Sequence, residues 1–244
     1  MVLRVFRWAP GAAPRRQDYS LEARPGMTVL DALVELQRAT DSTLAFRYAC
    51  RVGMCGSCGM VIDGRERWAC RTLLASLHGP TITVRPLYHF PLIRDLVVDM
   101  APFRDKMLAA GATFLPAAAG APGAAGTPAA AGGDVEPARI PRDSAERRAI
   151  DPAIECIGCG MCVSACTMVA HAPDFPGPAA LNRAFTLQAD SRDTGRAERR
   201  ALLLGADALS RCHTQGNCTA VCPMEIPVTE SILSMRRRSL GSAR

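Results

Sequence analysis

Eleven cysteines, set in two blocks, constrain this 244-residue chain more than any other feature. Cys50, Cys55, Cys58 and Cys70 form the first block, the second runs from Cys156 to Cys222, and 85 residues without a cysteine separate them. That separation predicts two domains. An odd count argues against a closed disulfide framework. The N-terminus, Met-Val-Leu-Arg-Val-Phe-Arg-Trp, lacks the apolar stretch of a secretory signal. In a reducing compartment so many cysteines read as metal ligands.

Cys50, Cys55, Cys58 and Cys70 follow the spacing C-x4-C-x2-C-x11-C. The first three match plant-type ferredoxins, in which four thiolates hold a [2Fe–2S] cluster. Gly53, Gly56 and Gly59 suit a loop that turns sharply and points backbone N–H groups at sulfur. Structural zinc shares the C-x2-C pair, but it joins one such pair to another and the x4 spacing is foreign to it.

Cys156, Cys159, Cys162 and Cys166 form C-x2-C-x2-C-x3-C, the bacterial ferredoxin run. In two-cluster ferredoxins its fourth cysteine ligates the other cluster. Cys212, Cys218, Cys222 and Pro223 would repeat the run if Gln215 were a cysteine. Counted by that rule, Cys156, Cys159, Cys162 and Cys222 make a [4Fe–4S] site. Cys166, Cys212 and Cys218 make the other, with Gln215 at its fourth corner. An amide is a poor iron ligand, so the count predicts an empty corner and a [3Fe–4S] cluster. The alternative is a labile fourth iron held by Gln215 or water. All eleven cysteines are used, and no thiol is left for catalysis.

The net charge of +6 comes almost wholly from arginine, Lys106 being the only lysine. Arg236, Arg237, Arg238 and Arg244 make the C-terminal end basic, either as a solvated tail or for an acidic partner or lipid headgroups. Aromatics are few and interleave with no basic groove, so nucleic acid is not an expected partner. The weakly apolar run at 109–133 is broken by Pro116, Pro122 and Pro128 and reads as no membrane span. The expectation is a soluble protein, or one held at a membrane only through partners.

The expected fold class is α+β. Strands are predicted at 2–8 and 17–23, with the turn marked by Pro10, Gly11 and Pro14. Thr28 and Asp31 form a capping-box pattern before Val29, Leu30, Leu33 and Leu36 at helical spacing. A metal loop at 49–59, a strand at 59–62, a turn at Asp63-Gly64 and a strand at 81–85 follow, with 91–108 read as helical. These make a first domain over 1–108. The Ala/Gly/Pro-rich stretch 109–138 reads as a linker or insertion. A second domain over 139–244 is helical, at Ala179–Gln188, Ala197–Leu204 and Pro227–Arg238 among others.

These motifs resemble the iron–sulfur subunit of the succinate dehydrogenase/fumarate reductase family. The resemblance lies in Cys50-Arg51-Val52-Gly53-Met54-Cys55-Gly56-Ser57-Cys58, Ala69-Cys70, Glu155-Cys156-Ile157-Gly158-Cys159, Gly177-Pro178-Ala179-Ala180, Asp190-Ser191-Arg192-Asp193 and Cys212-His213-Thr214. It implies a β-grasp [2Fe–2S] ferredoxin domain followed by an α-helical ferredoxin domain. It also implies a subunit lying between an FAD-containing flavoprotein and a membrane anchor with a quinone site, often with haem b. Such a subunit relays electrons through [2Fe–2S], [4Fe–4S] and [3Fe–4S], while the dicarboxylate chemistry belongs to the flavoprotein. The implied place is the cytoplasmic face of the bacterial inner membrane, peripheral through partner subunits.

The departures gather at the quinone end. Ubiquinone-reducing relatives carry proline after the ligand matching Cys166 and tryptophan five residues after it. Here Thr167 and His171 stand there, and Met224 replaces a lysine. His213 keeps the family's place, either as a quinone contact or as a donor tuning the neighbouring cluster. His171 is read as a local packing residue or a second quinone contact. A rival reading is an electron-carrier subunit of another flavoprotein oxidoreductase. Such chains usually append further cysteine-rich segments, which these 244 residues lack.

Overall fold

The computed structural model describes residues 1–116, 139–205 and 207–241, apart from the side chains of 239–241. Strands β1 (Val2–Arg7), β2 (Arg15–Ser20), β3 (Gly59–Ile62), β4 (Arg65–Trp68) and β5 (Thr81–Arg85) form one sheet in the order β2-β1-β5-β3-β4. β1 and β5 are parallel, and the other pairs are antiparallel. Alternation along β1 and β5 turns Leu3, Val5, Ile82 and Val84 to one face. Helix α1 (Val29–Ala39) covers that face with Val29, Leu30, Leu33 and Leu36. Each such side chain contributes about 1.5–3 kcal/mol by leaving water. The Thr28–Asp31 capping box forms as its pattern predicts. Asp63 and Gly64, at φ 48° and 75°, make the tight turn between β3 and β4. This is the β-grasp arrangement.

Two stretches fold differently from the sequence expectation. Arg-Glu-Arg-Trp shows no apolar alternation, yet the turn at 63–64 folds it back on β3 as β4. The stretch 91–108 is helical only at its end, in α2 (Ala101–Ala109). Before it lies a hairpin of β6 (Leu92–Arg94) and β7 (Val97–Val98). The hairpin turns at Asp95, φ 45° and 2% exposed. Asp95 accepts hydrogen bonds from Arg7 Nε (3.0 Å), Trp8 N (2.9 Å) and Ala45 N (2.9 Å). That tertiary anchor overrides local helix preference.

The second unit is helical: α3 (Ala145–Ile154), α4 (Met161–Ser164), α5 (Thr167–His171), α6 (Pro178–Ala189), α7 (Arg196–Leu204), α8 (Asn217–Ala220) and α9 (Val228–Gly241). Its core holds Phe175, Leu181, Phe185, Leu203, Leu209, Ile226 and Ile232. The short helices α4, α5 and α8 carry the cysteine runs. Of the expected linker, the part 109–116 is packed: Arg199 donates to the carbonyls of Gly111 (2.8 Å) and Thr113 (3.1 Å), and Asp193 accepts from Leu115 N (3.1 Å). The rest, 117–138, lies outside the described residues. The units join through Leu87, Phe90, Val98, Met161 and Val163, and by a hydrogen bond from Arg65 to the carbonyl of Ala220 (2.8 Å). Among the described residues no helix is long and apolar enough to cross a membrane.

Candidate metal centres

The loop before β3 is bent by Gly53 and Gly56, at φ 76° and 70°, into a conformation closed to most side chains. It aims the N–H groups of Met54 (3.3 Å) and Cys55 (3.4 Å) at Cys50 Sγ. Hydrogen bonds to Ser57 and to Cys50 hold the Cys55 thiol down at about 6. Burial pushes Cys58 up to about 12, while the backbone N–H of Cys70 points at its sulfur. Cys58 also interacts with the thiols of Cys70 and Cys55, so the four cysteines are gathered in one place. Gly59 has no positive φ; it allows close approach, since an added β-carbon would lie 3.1 Å from Met161 Cε.

In the helical unit Cys156, Cys159, Cys162 and Cys222 line one recess. Cys222 reaches it from beyond α8, and Met224 and Asn182 line it too. Burial raises Cys156 and Cys159, the latter to about 11, and lifts Cys162 well above the ordinary thiol range. A second recess is lined by Cys166, Cys212 and Cys218, with Gln215, His213 and Met168. Its loop turns through Thr214 and Gly216, at φ 56° and 82°. Thr167 Oγ1 donates to Gln215 Oε1 at 2.6 Å, a bond proline at that position could not make. His213 lies on this rim. His171 is not among the lining residues; its charge repels that of His89, whose pKa is lowered chiefly by burial.

The donor sets fit iron–sulfur clusters. Thiols raised by burial are poor ligands until a metal displaces their protons. Trp68 Nε1 is buried with no acceptor among the described residues, and its ring edge lies 3.1 Å from where a β-carbon on Gly53 would stand, against the first loop. A cluster held by the first loop would supply sulfur acceptors near that ring. Among the described residues no three His, Cys, Asp or Glu side chains close on one ion. The cysteines of the helical unit line two recesses in sets of four and three, as the count from the sequence groups them.

The sets also stand in file. A β-carbon on Gly56 would lie 2.6 Å from Cys159 Cβ, so the first loop touches the second set. Cys162 of the second set interacts with Cys218 of the third. Sequence reasoning missed the junction residues Glu66, Trp68 and Ser164, which sit between the sets in no recognisable motif. β4 carries no apolar alternation, so the sequence held no signal for them.

A β-grasp unit and a helical unit that bring cysteine sets into near contact define a ferredoxin-type electron-transfer protein with several iron–sulfur clusters. Residues 2–105 match the 2Fe-2S iron-sulfur cluster binding domain, and residues 152–226 match the 4Fe-4S dicluster domain. The fumarate reductase iron–sulfur subunit of Mycobacterium tuberculosis is 38% identical over 226 residues, 91% of this chain and 86% of that protein. The succinate dehydrogenase iron–sulfur subunit of Paracoccus denitrificans is 35% identical over 95% of this chain and 85% of its own length. A chain of the Mycobacterium smegmatis Sdh1 complex superposes with a TM-score of 0.84 at 28% identity, covering 99% of this chain and 95% of that one. The chain belongs to the family of succinate dehydrogenase and fumarate reductase iron–sulfur subunits.

Proposed function

We propose that this chain is the electron relay of a membrane-associated succinate:quinone or quinol:fumarate oxidoreductase. The single observation that carries the reading is the file of cysteine sets, with Gly56 against Cys159 and Cys162 near Cys218. In this reading Cys50, Cys55, Cys58 and Cys70 hold [2Fe–2S]. Cys156, Cys159, Cys162 and Cys222 hold [4Fe–4S], and Cys166, Cys212 and Cys218 hold [3Fe–4S] with Gln215 at the vacant corner. The bound clusters supply one-electron carriers whose potentials follow cluster type, charge and hydrogen bonding.

The chain's own residues do the rest. Buried Met161 and half-buried Trp68 exclude water between the sets. Val52 and Met54, 62% and 67% exposed beside the first loop, form the contact for an FAD-containing flavoprotein. At the far end His213 is a quinone contact on the side of a membrane anchor, while His171, outside that recess, is a local packing residue with a second quinone contact as its alternative role. The complex lies on the cytoplasmic face of the inner membrane, this chain being peripheral to it. The domains are 1–108 and 139–244, with 109–138 between them.

Tagged chain isolated from membranes of its source should bring down a flavin-bearing and a membrane-spanning subunit, and succinate should reduce its clusters. Recovery without flavin, with clusters unmoved by succinate, would overturn the reading.

A further inference from the structure

Glu66 is a carboxylate that the electron path, as described, does not use. It lies on β4 at 7% exposure, at the junction of the two units. Two residues further along the same face of the strand is Trp68, which packs against the same apolar junction cluster as Cys159 and Cys162. Glu66 Oε1 accepts a hydrogen bond of 2.7 Å from Ser164 Oγ. Ser164, 3% exposed, ends α4 and in turn accepts one of 2.9 Å from Tyr88 N. In sequence it stands midway between Cys162 and Cys166, one from each of the last two cysteine sets.

Among the described residues no cation forms an ion pair with Glu66. Compensation is slight: the Ser164 hydroxyl donates to it, and His89 lies within its electrostatic reach without bonding to it, so taking this carboxylate from water is expensive. The other buried carboxylates among the described residues, Asp95, Asp190 and Asp193, are each paired to an arginine. Glu66 therefore places negative charge, largely unscreened by solvent, where the β-grasp unit meets the helix carrying Cys162. Negative charge there opposes the arrival of an electron, since a reduced cluster carries one charge more.

We infer that Glu66 is a tuning residue that lowers the reduction potential of the cluster held by Cys156, Cys159, Cys162 and Cys222, its charge partly offset by the Ser164 hydroxyl. The inference rests on the proposed assignment of those four cysteines to a [4Fe–4S] cluster. Function follows from the sign. The middle carrier of the file is held harder to reduce than its ligands alone would make it, so it passes electrons on rather than storing them.

EPR-monitored redox titration of the assembled complex tests this at one pH, for wild type, E66Q, E66D and S164A. E66Q should raise the [4Fe–4S] midpoint and move the [3Fe–4S] midpoint less. E66D, which keeps the charge, should stay near wild type. S164A removes the donor that offsets the charge and should lower the midpoint, so it serves as the test if E66Q loses its clusters. A wild-type midpoint in E66Q with clusters intact, an equal shift in E66D and E66Q, or a midpoint in S164A that holds or rises would overturn the tuning role. A wild-type complex without a four-iron signal would instead overturn the ligand assignment, and the tuning role with it.

Discussion

Replacing Gly56 by alanine separates the two units where the electron path is shortest. The added β-carbon would lie 2.6 Å from Cys159 Cβ and 3.1 Å from its Cα, against an ordinary contact of at least 3.4 Å. Both neighbours are fixed to backbone, so the first loop and Cys159 must part by about 0.8 Å. Gly56 also stands at φ 70°, a left-handed conformation that costs a residue with a β-carbon about 1–2 kcal/mol. Overpacking adds about 1–3 kcal/mol, giving about 2–5 kcal/mol together. Gly64 supplies the control, because at φ 75° with nothing within 4 Å of an added β-carbon it pays only the conformational part. Denaturant titration of the holoprotein, followed by cluster absorbance, should find Gly56→Ala less stable than Gly64→Ala by about 1–3 kcal/mol. Freeze-quench EPR should find slower electron arrival at the second cluster in Gly56→Ala alone. Equal stability of the two variants with unaltered transfer would refute the close approach of the first two sets.

Three further outcomes are expected. Gln215→Cys should replace the oxidised three-iron EPR signal by a four-iron one, and an unchanged signal would remove Gln215 from the vacant corner. Asp193→Ala should cost about 3–5 kcal/mol, because Arg199, paired to it at 2.9 Å with side chains 2% and 0% exposed, is left buried and unpaired; a loss under about 1 kcal/mol would contradict this. Hydrogen bonds from Thr43 and Tyr19, with Arg7, hold Asp41 below the usual carboxylate range, so its stabilisation is full above about pH 4 and is lost as pH falls toward its folded value. The stability gap between wild type and Asp41→Asn should therefore shrink on acidification below about pH 4, and a constant gap would contradict it.

The cysteine spacing made both cluster-binding units legible, because thiol spacing is covalent and needs no tertiary context. The capping box of α1 and the turn at 63–64 were legible for the same reason: their chemistry is local. What sequence could not display came from distant partners. β4 is a strand because β3 pairs with it, and the 92–98 hairpin exists because Asp95 is claimed by Arg7. The packing of 111–116 depends on Arg199 and Asp193. At the last recess the departure at Thr167 was visible as a missing proline. Only the structure gives it a partner, the Gln215 amide. Glu66 had no motif at all, and its environment is built from residues 88 and 164.

Metal and sulfide analysis of the purified full-length chain, read together with its EPR spectra, bears most directly on the relay. Two, four and three irons in separate clusters give about nine irons per chain with acid-labile sulfide to match, and three distinct paramagnetic centres on stepwise reduction. Zinc bound in stoichiometric amount with no labile sulfide would contradict the whole account.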